Sequence, residues 1–268
     1  MKLKHFIAIG LASVPTVAIA GSTINGAGAS FPAPIYQRWF QDYSTQSGNR
    51  VNYQSVGSGA GVRQFIAGTV DFGASDEPIK ASEVAKVKRG VVQIPMVGGT
   101  IAIAYNKPGC NLKLTQKQVV DIFSGRITDY KQVGCSAGPM RVAYRSDGSG
   151  TTFAFTNSLD AFGGWKPGVG KSVKWPVGIG GKGNEGVAGT IKTAPGAIGY
   201  VNTGFVKANK LQAAAIQNKA GQFVLPTAKS GAITLNNITL DSNLAGENPN
   251  PTASGAYPIA TLTWILAY

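Results

Sequence analysis

Histidine is all but missing from this 268-residue chain: its single copy, His5, lies in the first few residues. Nothing downstream can supply an imidazole base or ligand, which excludes Ser-His-Asp and Cys-His sites, a histidine general base and histidine-ligated zinc. Acidic residues are scarce too. Twelve Asp and Glu against 25 Lys and Arg leave a formal charge of +13, so carboxylate metal ligands have few residues to draw on and an anionic partner is favoured. The basic residues are spread without a dense block or an aromatic ladder, which argues for a solvated surface and against a nucleic-acid footprint. Beyond residue 20, no apolar run reaches the roughly 18–20 residues needed to span a bilayer.

The chain opens with Met-Lys-Leu-Lys-His, continues through "FIAIGLASVPTVAIA" and reaches a small-x-small site at Ala18 and Ala20. That is the pattern of a secretory signal peptide over residues 1–20, with no cysteine at the cleavage point to take a lipid anchor. The mature product is expected to be exported, soluble and periplasmic. Cys110 and Cys135, in polar loops on either side of the helix-like "LTQKQVVDIF", are expected to form a disulfide in that oxidising setting. By chain entropy such a loop closure is worth about 3 kcal/mol.

Helix-like and strand-like segments alternate throughout, the mark of an α/β fold. "APIYQRWFQDYSTQSG" puts Ile35, Tyr36, Trp39, Phe40 and Tyr43 on one helical face before Gly48, and "NRVNYQSV" reads as a strand. Val62, Phe65 and Ile66 mark a short helix, "SEVAKVKRG" a charged helix, and "GGTIAIAYN" and "RVAYR" strands. "NEGVAGTIKTA" reads as a helix, "GAIGYV" as a strand, Asn236 to Pro258 as a polar connection, and "YPIATLTWILAY" as a buried strand. "GIGGKG" at Gly178 to Gly183 matches a dinucleotide fingerprint but lacks the acidic partner about twenty residues on, and is read as a glycine-rich surface loop. "GWKPGVGKS" misses a phosphate-binding loop by one residue and has no strand before it. No cofactor is implied.

One pattern occurs three times: a small hydroxyl-bearing turn that leads straight into a helix. "GAGASFPAP" places Ser30 as an N-cap before Phe31, "SVGSGAGVRQF" places Ser58 likewise, and "RSDGSGTTFAF" places Ser149, Gly150 and Thr151 at a helix start. Each such turn leaves backbone N–H groups without intrahelical partners at a helix end carrying about half a positive charge. Brought together, the three turns would cage a small tetrahedral oxyanion. Arg145 adds a planar fork, and Asp147 would hold it in place. Asp76, in "TVDFGASDEPIK", is either a helix N-cap or a buried acceptor that selects a ligand still carrying a proton, as phosphate does at neutral pH and sulfate does not.

At these residues the sequence resembles the periplasmic phosphate-binding proteins, the PstS-like family, that feed the high-affinity phosphate ABC transporter. "GAGASFPAPIY", "GNRVNYQSVGSGAGV", "GTVDFGASDEP", "RSDGSGTTFAFTNSL", "VKWPVGIGGKGNEGVAG" and "PGAIGYV" occur in the family's order. The resemblance implies a two-lobed fold of the type II periplasmic-binding class, hinged between the lobes. Lobe one would comprise 21–96 plus 257–268 and lobe two 97–256. It also implies that inorganic phosphate is held by Ser30, Phe31, Ser58, Asp76, Arg145, Ser149, Gly150 and Thr151, with Asp147 bracing the arginine. The protein would then be a monomer that hands phosphate to a membrane permease and makes or breaks no bond. The family's further C-terminal helices over lobe one have no counterpart before Tyr268. The rival reading is a phosphate-ester hydrolase or phosphotransferase using the same cage. A basic nucleic-acid-binding module is a more distant one.

Overall fold

In the computed structural model, which describes residues 21–268, the expected alternation takes the form of one long twisted sheet with helices on its faces. The signal peptide read at 1–20 lies outside the described residues. The first third runs β1 (Thr23–Gly28), α1 (Ala33–Ser47), β2 (Arg50–Ser55), α2 (Ser58–Ile66) and β3 (Phe72–Ser75), with β1 parallel to both β2 and β3. Gly48 ends α1 in the left-handed conformation, φ 72°, that only glycine adopts without strain. The apolar face expected of α1 is only partly covered. Tyr36 is buried and packs with Phe40 on Tyr53, whereas Ile35, Trp39 and Tyr43 stay 37–44% exposed on the helix flank.

The charged helix expected from "SEVAKVKRG" shrinks to one turn, α3 (Ala81–Val84). That segment has a single buried anchor, Val87, so no apolar stripe holds a longer helix against the sheet. β4 (Val92–Tyr105) starts earlier than expected and links the two halves of the sheet. It pairs with the last strand up to Thr100 and with β8 from Ile101 onward.

Beyond it come β5 (Lys113–Leu114), α4 (Gln116–Phe123), β6 (Arg141–Arg145), α5 (Gly150–Phe162), β7 (Ile179–Gly181), α6 (Gly183–Thr193), β8 (Ala197–Asn202) and α7 (Thr203–Asn209). β9 (Gln212–Ala213), β10 (Ala215–Gln217), β11 (Phe223–Val224) and α8 (Ala228–Leu235) follow. After an irregular connection, β12 (Ala260–Ala267) returns as the buried strand expected, antiparallel between β3 and β4. The main sheet is ordered β2-β1-β3-β12-β4-β8-β6-β7, with β9 on β4, and β5, β10 and β11 form a small separate sheet. Cys110 and Cys135 are disulfide-bonded, Cα atoms 5.5 Å apart.

Of the four hydrophobic clusters among the described residues, two bear on the site. The larger gathers Ile101, Ile103, Phe123, Phe155, Tyr200 and Tyr257, and the ring of Phe31 reaches into it from the first third of the chain. The smaller holds Ala27, Val62, Phe65 and Leu266 under α2. The connection before β12 ties both halves together: Asn243 and Leu244 accept hydrogen bonds from Gln93 and Trp264, while Asn250 pairs with Gln116 of α4.

Candidate functional site

Five strands of the main sheet release their chains at one place. At or just past their carboxyl ends come Ser30 and Phe31 (β1), Ser58 (β2), Asp76 (β3), Arg145 to Thr151 (β6) and Asn184 (β7). Parallel strands that end in helix starts present backbone N–H groups and positive helix ends to whatever lies beyond them.

The three hydroxyl turns are indeed brought together, but two of them are not caps. Ser149 caps α5, its Oγ accepting the Thr152 N–H at 3.0 Å. The N-cap of α1 is Pro32, not Ser30, because the chain makes one more turn after Ser30 before the helix begins. The cap of α2 is Gly57, not Ser58, which is already the first helical residue. Both hydroxyls are thereby freed for longer-range contacts. Ser58 Oγ accepts the Asp76 N–H at 3.2 Å, and Ser30 Oγ accepts both the backbone N–H and the Nδ2 of Asn184, at 3.0 and 2.9 Å. Nor is Asp76 a helix cap, since α3 begins after Lys80.

Glycine lets the two walls meet. A Cβ on Gly150 would lie 2.6 Å from Ser58 Oγ and 2.7 Å from Asp76 Cβ, so only glycine fits there. Gly59 N–H donates to Gly148 O at 2.8 Å across the same seam.

Thr151 stands at the centre. Its Oγ1 donates to Asp76 Oδ2 at 3.0 Å and accepts from Arg145 Nη1 at 3.4 Å and Asn184 Nδ2 at 3.3 Å. Arg145 is buried, and Asp147 grips its guanidinium through Nε, at 2.7 Å, and Nη2. Asp147 also accepts the Gly183 N–H at 3.1 Å, the first amide of α6. Tyr200 fixes the main chain of Arg145, its hydroxyl accepting that N–H at 3.1 Å.

The two carboxylates titrate in opposite directions. Burial pushes Asp76 up to about 6, although the hydroxyls of Thr263 and Thr151 and the charge of Arg145 pull it down. Burial also opposes ionisation of Asp147, but there the double hydrogen bond and charge of Arg145 prevail and hold it below the usual carboxylate range. Asp76 Oδ1, fully buried, has no hydrogen-bond partner among the described residues. The arrangement is a closed set of N–H and O–H donors around one cation and one incompletely satisfied acceptor.

Asn184 was missed by the sequence reading, as was the short strand before it. Gly178 to Gly183 is at the surface, as expected, but not wholly a loop: Ile179–Gly181 forms the edge strand β7, and while Gly178, Ile179, Gly180 and Lys182 are exposed, Gly181, Gly183 and Asn184 are buried. Asn184 also accepts the Asn202 N–H at 2.8 Å, so it ties β8, Ser30 and Thr151 together. Its only sequence signal was the "GGKGNEG" turn into a helix.

A model of the PBP superfamily domain matches residues 13–268. The phosphate-binding protein PstS of Pasteurella multocida is 43% identical over an alignment covering 92% of this chain and 76% of that protein. This chain belongs to the PstS family of the PBP superfamily. PstS of Xylella fastidiosa is 42% identical, with 91% and 71% covered. Among solved structures, a periplasmic phosphate-binding protein bound with phosphate superposes with a TM-score of 0.74 at 26% identity, covering 91% of this chain and 80% of that one. A phosphate-binding protein from Stenotrophomonas maltophilia gives 0.73 at 22% identity over 92% and 79%, a likeness of fold alone. The two-lobed α/β architecture expected from the PstS-like motifs is therefore the architecture of this chain.

Proposed function

We propose that this protein captures inorganic phosphate between its two lobes and delivers it, unchanged, to an ABC-type permease. The reading is carried by Asp76: a buried carboxylate with one oxygen unpartnered, set in a cage otherwise made of donors. Such an oxygen accepts a hydrogen bond, so it suits an anion that still bears a proton and repels one that does not. Around it Ser30, Phe31, Ser58, Ser149, Gly150 and Thr151 donate from hydroxyls and main-chain N–H groups, Arg145 supplies the fork, and Asp147 braces it.

Lobe one is taken as 21–96 plus 257–268 and lobe two as 97–256. The change of partner along β4 at Thr100 and Ile101 supports a hinge there. The leader pattern supports export to the periplasm, where the protein would act as a monomer. A hydrolytic role gains nothing from the geometry, because the hydroxyl of Ser149 is engaged as a helix cap and histidine is missing from residues 21–268.

Calorimetric titration with phosphate and then sulfate tests the reading. Phosphate is expected to bind at micromolar concentration or better and sulfate not measurably, with Asp76→Asn narrowing that gap. Equal affinity for both anions in the wild type would refute it.

A further inference from the structure

Next to the cage, outside the proposed ligand set, lies a second charged cluster. Glu77 follows Asp76 in the chain and its carboxylate is only 3% exposed. It pairs with Lys171 at 2.7 Å and with Lys80 at 3.1 Å. Lys80 is a neighbour on the same turn and 57% exposed, so it reports nothing about the lobes. Lys171 comes from the other side of the cleft, from the "GWKPGVGKS" stretch after α5, and is 15% exposed. It also reaches Glu83 at 3.4 Å.

The cluster is joined to the cage on both sides. On one side the link is the peptide bond between Asp76 and Glu77. On the other, the carbonyl of Lys171 accepts the Ser149 N–H at 2.8 Å, which fixes the turn that caps α5. Glu247 lies close enough to Glu77 for the latter's charge, after burial, to raise its carboxyl. Three acids thus gather where Lys171 arrives as the cross-cleft cation.

We infer that Glu77 and Lys171 form a lobe-to-lobe latch, an affinity-setting pair that lies outside the anion cage and holds the lobes shut. This rests on the reading of the protein as a receptor that closes on its ligand. When the lobes part, both groups return to water at little cost. When they close, Glu77 is desolvated and, among the described residues, Lys171 is its only ion-pair partner from the opposite lobe. Removing Lys171 therefore penalises the closed form alone, and the effect falls on dissociation rather than association.

The test is phosphate binding by stopped flow on the wild type, Lys171→Met, Glu77→Gln and the double variant, with Lys171→Arg as the charge-conserving control. Lys171→Met is expected to raise Kd roughly 10- to 100-fold, nearly all in koff, with kon unchanged. The double variant should lose less than the product of the two single effects, and Lys171→Arg should retain most of the wild-type residence time. In single-molecule energy transfer between dyes on Lys86→Cys and Lys219→Cys, without phosphate, the closed fraction should fall several-fold in Lys171→Met. A koff within twofold of wild type in both single variants, or strictly multiplicative effects, overturns the latch. Failure of the wild type to bind phosphate would sink the receptor reading instead, and the energy-transfer comparison then decides the latch by itself: an unchanged closed fraction overturns it.

Discussion

The wall of the cleft built on β3 and the wall built on β6 each carry a largely buried aspartate just past the strand end, and the two live under opposite conditions. Asp147 spends both oxygens on its own wall, on Arg145 and the Gly183 N–H, and stays ionised well into acid. Asp76 has one oxygen on Thr151 and the other without a hydrogen-bond partner among the described residues; the Thr263 hydroxyl is near enough to lower its pKa, which burial nonetheless raises to about 6. A carboxylate whose lone pairs are used internally is a structural element. One that is buried and left short of a donor is held ready for something that brings its own proton. On the proposed reading, the difference makes Asp147 the brace and Asp76 the discriminator.

The comparison breaks most directly at Arg145. Arg145→Ala removes the only guanidinium in the cage and leaves Asp147 partly buried without its partner. Truncating one member of a buried, hydrogen-bonded charge pair costs about 2–5 kcal/mol, so phosphate affinity should fall roughly 30- to 4,000-fold. Titration calorimetry on the folded variant checks this; a loss under tenfold would mean that the donors alone hold the anion.

Asp76 sharpens the contrast through stability. Its folded-state pKa is raised from 3.8 to about 6. The protonated side chain therefore contributes stability that is fully present below about pH 4 and is lost as pH rises through 6. Two pKa units correspond to about 3 kcal/mol, the cost of the buried charge at pH 8. Asp76→Asn should thus stabilise the closed form of the phosphate-free protein at pH 8 and change little at pH 4. Denaturant unfolding at both values measures it, and equal effects at the two would mean that Asp76 is not the group that titrates.

Much of this site was legible because helix starts have local signatures. Gly, Ser and Thr before an apolar run mark orphan N–H groups, and Arg145 and Asp147, two residues apart, announce a clamp and its brace. The same signature serves a cap and a ligand donor equally, and Ser30 and Ser58 carry it without capping a helix. Whether a hydroxyl turns back to its own helix or across to Asn184, 154 residues away, is decided by packing that no local window contains. Asn184 itself was hidden for a related reason: β7 has three residues, too few to show a strand period, and glycine leaves no side-chain pattern to read. In the fold, the shortfalls came where burial decides, at the one-turn α3 and the half-covered face of α1.

The smallest effect separates the two serines that lie on either side of the seam. Ser149 is an N-cap in extended conformation, φ −117° and ψ 122°, whereas Ser58 is the first residue inside α2. Glycine is a tolerable cap, and alanine is not; inside a helix the order reverses, because glycine loses more backbone freedom than alanine. Ser149→Ala should therefore cost about 1 kcal/mol and Ser149→Gly only a few tenths. At Ser58 both substitutions forfeit the bond to the Asp76 N–H, but Gly should be the worse, by about 0.5–1 kcal/mol. In thermal melts of the phosphate-free protein these differences amount to roughly 2–4 °C per kcal/mol. The same rank order at both positions would show that Ser149 and Ser58 play one role, and that the two walls differ only in their aspartates.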